Sequence, residues 1–304
     1  MTGYSLNRRM FVTTGLAGVM ASTLSIGSSA EEAKLAANEA TSEVTSKDGT
    51  PIAISRSGEG PALILVGGAL SDGSGAAPLA KLLAPRFTIV TFDRRGRGKS
   101  GDTPPYAVER EIEDVDAIID ALGGTAFIHG HSSGAVLSLE ATAKLTGKVT
   151  KLSLYEPPFI TDGTRPPPPA DFASHIDGLI AADRRGDAVE YFLVDVVGTP
   201  AEAIAQMRSA PAWPGLEALA HTLAYDVAVL GDRMSGKPLA SGAWDGVSIP
   251  VLVMDGGASP EWIRNSARSV AGLLPSAEHR SLEGQTHNAA PEVVAPELER
   301  FFLG

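Results

Sequence analysis

The 304-residue chain contains no cysteine. Disulfides, a thiolate nucleophile and any zinc site built on sulfur are therefore excluded. Positive charge is scarce: 25 Lys and Arg stand against 36 Asp and Glu, for a net charge of −11. No basic run is long enough to follow a phosphate backbone, so nucleic acid is not an expected partner. Long hydrophobic runs are missing too, which argues against a stable membrane insertion. No internal repeat is visible, which leaves out solenoids and arrays. What remains is 43% hydrophobic residues, enough for a sizeable core in one or two domains.

Residues 1–30 read as a leader. Asn7-Arg-Arg-Met-Phe-Val12 is a twin-arginine signature, and Ser28-Ser-Ala30 is an A-x-A-like cleavage site. The stretch between them, Phe11 to Ile26, is short and full of Gly, Ser and Thr, a poor membrane span. Twin-arginine export of a folded chain implies a periplasmic or secreted location. A cysteine-free chain suits that oxidising compartment.

Beyond the leader, apolar runs alternate with helical periodicity. Ser42 to Ser46 and Pro51 to Arg56 flank Asp48-Gly49 as a hairpin. Pro61 to Val66, Phe87 to Phe92, Ala126 to His129, Val149 to Tyr155 and Pro250 to Met254 read as strands, the continuous apolar runs among them as strands covered on both faces. Helices are expected at Ala77 to Leu83, Val108 to Leu122, Gly134 to Leu145, Glu261 to Leu274 and Pro291 to Phe302. Such alternation predicts an α/β fold: a mostly parallel sheet with helices on both faces. Between residues 160 and 247 the strand signal stops and only helical segments remain, an all-helical insertion expected at the carboxyl ends of the strands.

The stretch Gly130-His-Ser-Ser-Gly134 lies between a strand and a helix and matches G-x-S-x-G. A strand that turns at once into a helix forces its middle residue into an unusual backbone conformation. Gly130 and Gly134 lack a Cβ, so the two elements can approach. Ser132 is then pushed out at the helix N-terminus, and the amide of Ser133 points where an oxyanion would develop.

That elbow, the Phe92-Asp-Arg-Arg-Gly-Arg-Gly-Lys-Ser100 loop and a late His287 before the last helix resemble the α/β-hydrolase fold superfamily, over nearly the whole chain beyond the leader. The resemblance implies a core of residues 31–159 and 248–304 under a helical cap of residues 160–247. It makes Ser132 the nucleophile, His287 the general base, and the amides of Ser133 and Ala69 the oxyanion hole. Ala69 follows Gly67-Gly68 where the superfamily usually carries His-Gly. A second departure bears on the acid. Superfamily members usually place it after the seventh strand, but Val251-Leu-Val-Met-Asp-Gly-Gly-Ala-Ser259 has a serine there, which cannot be anionic. Some members place the acid after the sixth strand, where this chain has Glu156; Asp255 is the alternative.

By resemblance the chemistry is cleavage of a small carboxylic ester or lactone through an acyl-enzyme, without a cofactor or a metal. A serine at the elbow argues against dehalogenation and epoxide opening, which need Asp there. A cofactor-free perhydrolase of haloperoxidase type, or a slow-turnover ligand receptor, would share the fold. In the cap, Trp213 between Pro211 and Pro214, with Tyr191, Tyr225, Met207 and His221, are the expected pocket lining. Arg94, Arg95, Arg97 and Lys99 are expected to pin their loop by salt bridges to the helices below. His131 is expected to pack behind the nucleophile. Nothing in the sequence sets an oligomeric state.

Overall fold

A computed structural model describes residues 40–304; the expected leader lies outside them. Eight strands form one sheet: β1 (Ala40–Thr45), β2 (Pro51–Ser57), β3 (Ala62–Val66), β4 (Thr88–Phe92), β5 (Ala126–His131), β6 (Val149–Tyr155), β7 (Val251–Gly256) and β8 (Ala277–Leu282). Their order is β1-β2-β4-β3-β5-β6-β7-β8. β2 runs antiparallel to both β1 and β4, and every other neighbouring pair is parallel. The chain steps from β3 outward to β4 and then returns to the other side of β3 for β5. That reversal opens a crevice at the carboxyl ends of β3 and β5, the usual ligand position in open α/β sheets.

Alternation along the inner strands divides the core, because successive side chains face opposite sides of a sheet. Ile64, Val66, Val90, Ile128, Leu152 and Leu154 face α2 (Val108–Ala121) and α3 (Ser133–Lys144), with α9 (Glu261–Leu273) in the same layer through Ala267 and Val270. Leu63, Leu65, Ile89, Leu252 and Met254 face α1 (Ala77–Leu83) and α10 (Pro291–Leu303). The fold is therefore the expected α/β sandwich, with helices on both faces.

Between β6 and β7 lie only helices: α4 (Phe172–Ala181), α5 (Arg185–Tyr191) continuing into a π-helical turn over Phe192–Val197, α6 (Ala201–Arg208), α7 (Trp213–Leu219) and α8 (Leu223–Leu230). A 3₁₀ turn at Ala220–Thr222 separates α7 from α8. The helical cap spans 172–230, narrower than 160–247. Its two flanks belong to the seam instead: Ile160 N–H donates to Arg233 O (3.0 Å), and Gly236 N–H returns to Ile160 O (2.9 Å). Phe159 and Trp244 are buried there and stack, ring centroids 6.0 Å apart. Among the described residues no helix is long and apolar enough to cross a membrane.

The β5–α3 junction shows why its glycines are needed. A Cβ on Gly134 would fall 2.4 Å from the carbonyl oxygens of both Val66 and Gly67, which are backbone atoms unable to yield. One on Gly130 would meet Gly134 O and Ser138 Oγ at 2.5 Å. Gly134→Ala is expected to destabilise the fold by about 1–3 kcal/mol, the usual cost of overpacking. Chemical denaturation checks this; a midpoint within error of the native protein would show that α3 shifts freely.

Candidate active site

Ser132 sits on the last step between β5 and α3 with φ 57° and ψ −127°. Few non-glycine residues adopt this geometry, and where it persists the surroundings impose it. Ser132 N–H donates to Tyr155 O (2.9 Å), and Ser132 O accepts from Ala135 N–H (2.9 Å). The side chain lies against the loop after β3: a Cβ on Gly68 would be 2.9 Å from Ser132 Cβ and 3.5 Å from its Oγ. Gly68 therefore allows that loop to close on the serine, a reason for glycine that position in the sequence alone did not supply.

Glu156 follows β6 directly and is fully buried, with φ 48°. Its Oε2 lies 2.6 Å from Nδ1 of His287, and its Oε1 accepts from Gly256 N–H at 2.7 Å. Both carboxylate oxygens are thereby engaged, as burial of a carboxylate demands. The His287 ring is one-third exposed (33%). With Nδ1 taken by Glu156, Nε2 is the nitrogen left for chemistry.

Asp255 points elsewhere. It is buried between β7 and β8, 2.5 Å from Nε2 of His279 and accepting from Ser281 Oγ at 2.6 Å. The parallel register pairs Asp255 with Ser281 and Val253 with His279. His279 thus has an acidic partner across the strands, one that linear spacing hid.

Two side chains hold the loop that carries His287. Tyr155 O–H donates to Thr286 O (2.7 Å), and Nε2 of His131 lies 2.9 Å from His287 O, placing the proton on that nitrogen. The His131 and His287 rings are 4.7 Å apart. His131, next to Ser132 in the chain, therefore braces the histidine loop. Burial, then the neighbouring His287, push its pKa down to about 4; burial and His131 push His129 down to about 3. Between pH 6.5 and those values the unfolded chain binds protons that the native state refuses, so stability falls as pH falls. The midpoint of thermal unfolding is expected to drop steadily from pH 6.5 to 4, and less steeply in His131→Asn. An equal slope in both proteins would refute the assignment to His131.

A cavity of about 270 Å³ opens beside His287, lined among others by Gly68, Ser71, His131, Tyr155 and Asn288. None of the five cap residues expected to line a pocket borders it. Trp213 is buried inside the cap, its Nε1 donating to Glu217 (2.8 Å) and Arg208 lying over its ring. The Tyr191 and His175 rings meet at a tilt, centroids 4.4 Å apart, and Met207 packs partly buried against the core. Tyr225 and His221 lie at the seam between cap and core. Tyr225 stacks on Tyr106 at 3.9 Å and donates to Asp102 (2.7 Å), while Nε2 of His221 bonds Gly96 O at 2.8 Å.

The arginine loop exceeds its expected structural part. Arg94 and Arg95 do reach down to α2, forming two-point bridges with Glu111 (2.6 and 2.6 Å) and Asp114 (2.8 and 2.6 Å). Arg97 turns the other way. Its Nη2 donates to both oxygens of Asp226 on cap helix α8 (2.9 Å each), and its Nη1 donates to Gly68 O at 2.6 Å. Arg94 Nη1 and Ser133 Oγ also donate to Asp226, at 2.8 and 2.7 Å. Burial opposes ionisation of Asp226, but Arg97 and Arg94 outweigh it and hold its carboxyl below the ordinary range. No sequence signal marked Asp226, because Arg97 lies 129 residues away. Lys99 is exposed. Among the described residues no three His, Asp or Glu side chains gather as a metal site.

The alpha/beta hydrolase family pattern matches residues 63–297, so the chain belongs to the α/β-hydrolase family and is a hydrolase. An alpha/beta hydrolase from Sphaerobacter thermophilus is 56% identical, with a TM-score of 0.81 over 86% of this chain and 100% of that one. The chain is similar to the 2-(acetamidomethylene)succinate hydrolase of Mesorhizobium japonicum, 28% identical over 262 residues, 80% of this chain and 88% of that protein. An esterase from Thermogutta terrifontis shares the fold at 19% identity, with a TM-score of 0.63 over 87% of this chain and 98% of its own.

Proposed function

We propose that the protein is a serine hydrolase that cleaves a small carboxylic ester or lactone through Ser132, His287 and Glu156. The observation that carries this reading is the 2.6 Å contact between buried Glu156 and Nδ1 of His287, on the loop beside the strained Ser132 elbow. Serine is a weak nucleophile without a base. His287 Nε2 takes the Ser132 proton as Oγ attacks the carbonyl carbon. Glu156 holds the ring in the tautomer that leaves Nε2 free and stabilises the imidazolium that forms. The backbone N–H groups of Ser133 and Ala69 bind the oxyanion. Collapse expels the alkoxide, which takes the proton from His287. Water then gives its proton to His287 as it attacks the acyl-enzyme, and Ser132 leaves with that proton restored.

The resemblance to esterases supports the ester or lactone as substrate. Cleavage of an amide is the second reading, favoured by the Mesorhizobium relative, whose named substrate bears an acetamido group. The test is turnover of p-nitrophenyl esters of graded chain length, aryl lactones and N-acyl amides, with Ser132→Ala as blank. Ester or lactone turnover that disappears in the blank is the expected result. Amide turnover alone would move the assignment to the second reading. Binding without turnover, or turnover only with peroxide, would overturn both in favour of a receptor or a perhydrolase.

Residues lining the substrate pocket from the cap are proposed to be Tyr225 and His221, at the seam, more than Trp213, Tyr191 and Met207, which serve the cap's own packing. Twin-arginine export is proposed from Arg8 and Arg9 with cleavage after Ala30. N-terminal sequencing of periplasmic protein is expected to begin near Glu31, and periplasmic protein retaining Met1 would refute it.

A further inference from the structure

We propose that Asp226, Arg97 and Arg94 are positioning residues for the oxyanion hole, so that seating of the cap sets the geometry of both its donors. This rests on the reading above that Ser133 and Ala69 supply those donors.

The argument begins with the peptide plane. The Gly68 carbonyl and the Ala69 N–H belong to one planar trans peptide and point in opposite directions. Fixing the carbonyl therefore aims the N–H. Gly67 and Gly68 have no side chains through which packing could do this, so their carbonyls are the available handles. Arg97 Nη1 holds Gly68 O at 2.6 Å and Ser71 O at 3.0 Å, and Arg94 Nη1 reaches Gly67 O at 3.4 Å. The next residue but one, Leu70, has φ 54°, so the loop is not in a conformation it would choose unaided.

The second donor is tied to the same carboxylate. Ser133, whose N–H starts α3, donates through Oγ to Asp226 at 2.7 Å. Asp226 thus touches the side chain beside one donor directly and reaches the other through Arg97. It is fully buried, and so is Arg97, at 0% and 1% of accessible surface. An apolar seam would hold a cap on a core as firmly as a buried ion cluster does. What the cluster adds is direction: a guanidinium with several N–H donors in a rigid fork fixes two carbonyls and a carboxylate at once. Lysine could keep the charge but not that set of directions.

The comparison that separates positioning from stability is built into the same loop. Arg95 and Asp114 form an equally buried pair, but the guanidinium of Arg95 bonds Asp114, Asp48 and the Arg110 carbonyl rather than residues 67–71 or Ser133.

The experiment compares Asp226→Asn, Arg97→Lys and Asp114→Asn with the wild type. Steady-state kinetics on p-nitrophenyl acetate, thermal unfolding and amide hydrogen exchange of segment 67–72 are measured on each. The first two variants are expected to lose about 10- to 100-fold in kcat, part of the about 10²–10³ that follows loss of one oxyanion donor. Their KM should stay within about twofold and the pH profile of kcat should keep its midpoint, since the His287–Glu156 contact is untouched; exchange in 67–72 should speed up. Asp114→Asn should lower the unfolding temperature with kcat within about twofold and exchange in 67–72 unchanged. Wild-type kcat in a folded Asp226→Asn or Arg97→Lys, or an equal kcat loss in Asp114→Asn, overturns the proposal. If Asp226→Asn fails to fold, Arg97→Lys decides. If the wild type turns over no ester, the reading of the chemistry fails, and exchange in 67–72 still decides whether the cluster orders the loop: unchanged exchange overturns it.

Discussion

Ser132→Ala is expected to lower kcat for the best p-nitrophenyl ester by about 10⁶-fold, leaving KM within a few-fold and the fold intact. The reasoning is geometric. Alanine removes only Oγ from a position whose backbone is fixed by Tyr155 O, by the first turn of α3 and by the close loop at Gly68. The elbow stays formed, so any loss reports the nucleophile. What survives should be the modest acceleration of an oxyanion hole acting on bound substrate. Labelling by a fluorophosphonate, which needs the serine oxygen, should disappear in parallel. A variant that keeps even one-tenth of the activity would show that the reaction runs through a different group.

Glu156→Gln should have the next largest effect, lowering kcat by about 10³–10⁴-fold. Glutamine fills the same space and can still accept from Gly256 N–H, so the end of β6 should remain attached to β7. It can, however, present an amide N–H to His287 Nδ1. The ring must then carry its proton on Nε2, where the base is required, and the imidazolium loses its counter-charge. Asp255→Asn, one strand over, should keep kcat within about threefold. Its carboxylate serves His279 and Ser281 rather than His287, so its loss should appear as a lower unfolding temperature. Kinetics of both variants beside thermal melts check the pair. If the two kinetic outcomes were exchanged, the acid would be Asp255.

Much of this was legible in the linear chain. The strand-turn-helix context of Gly130 to Gly134, the apolar runs and the late His287 are local patterns, each arising from steric or periodic demands within a few residues. They led to the fold and to Ser132. The departure at Ser259 led toward Glu156, and the fold brings its carboxylate to His287 Nδ1. Cap residues were less legible, because aromatic residues in helices serve internal packing and pocket lining alike. Trp213 read as exposed to a ligand, yet it is buried against Glu217 and Arg208 inside the cap.

By itself the sequence determined the alternation of strands and helices, the elbow, and the exclusion of sulfur chemistry, since these depend on residue type and short spacing. Only the tertiary structure decided which partners the charges take. Arg97 meets Asp226, Asp255 meets His279, and His131 meets the carbonyl of His287. The physical reason is range. Steric and hydrophobic periodicity act between near neighbours in the chain, whereas a buried charge must find its counter-charge wherever the fold brings one within about 3 Å.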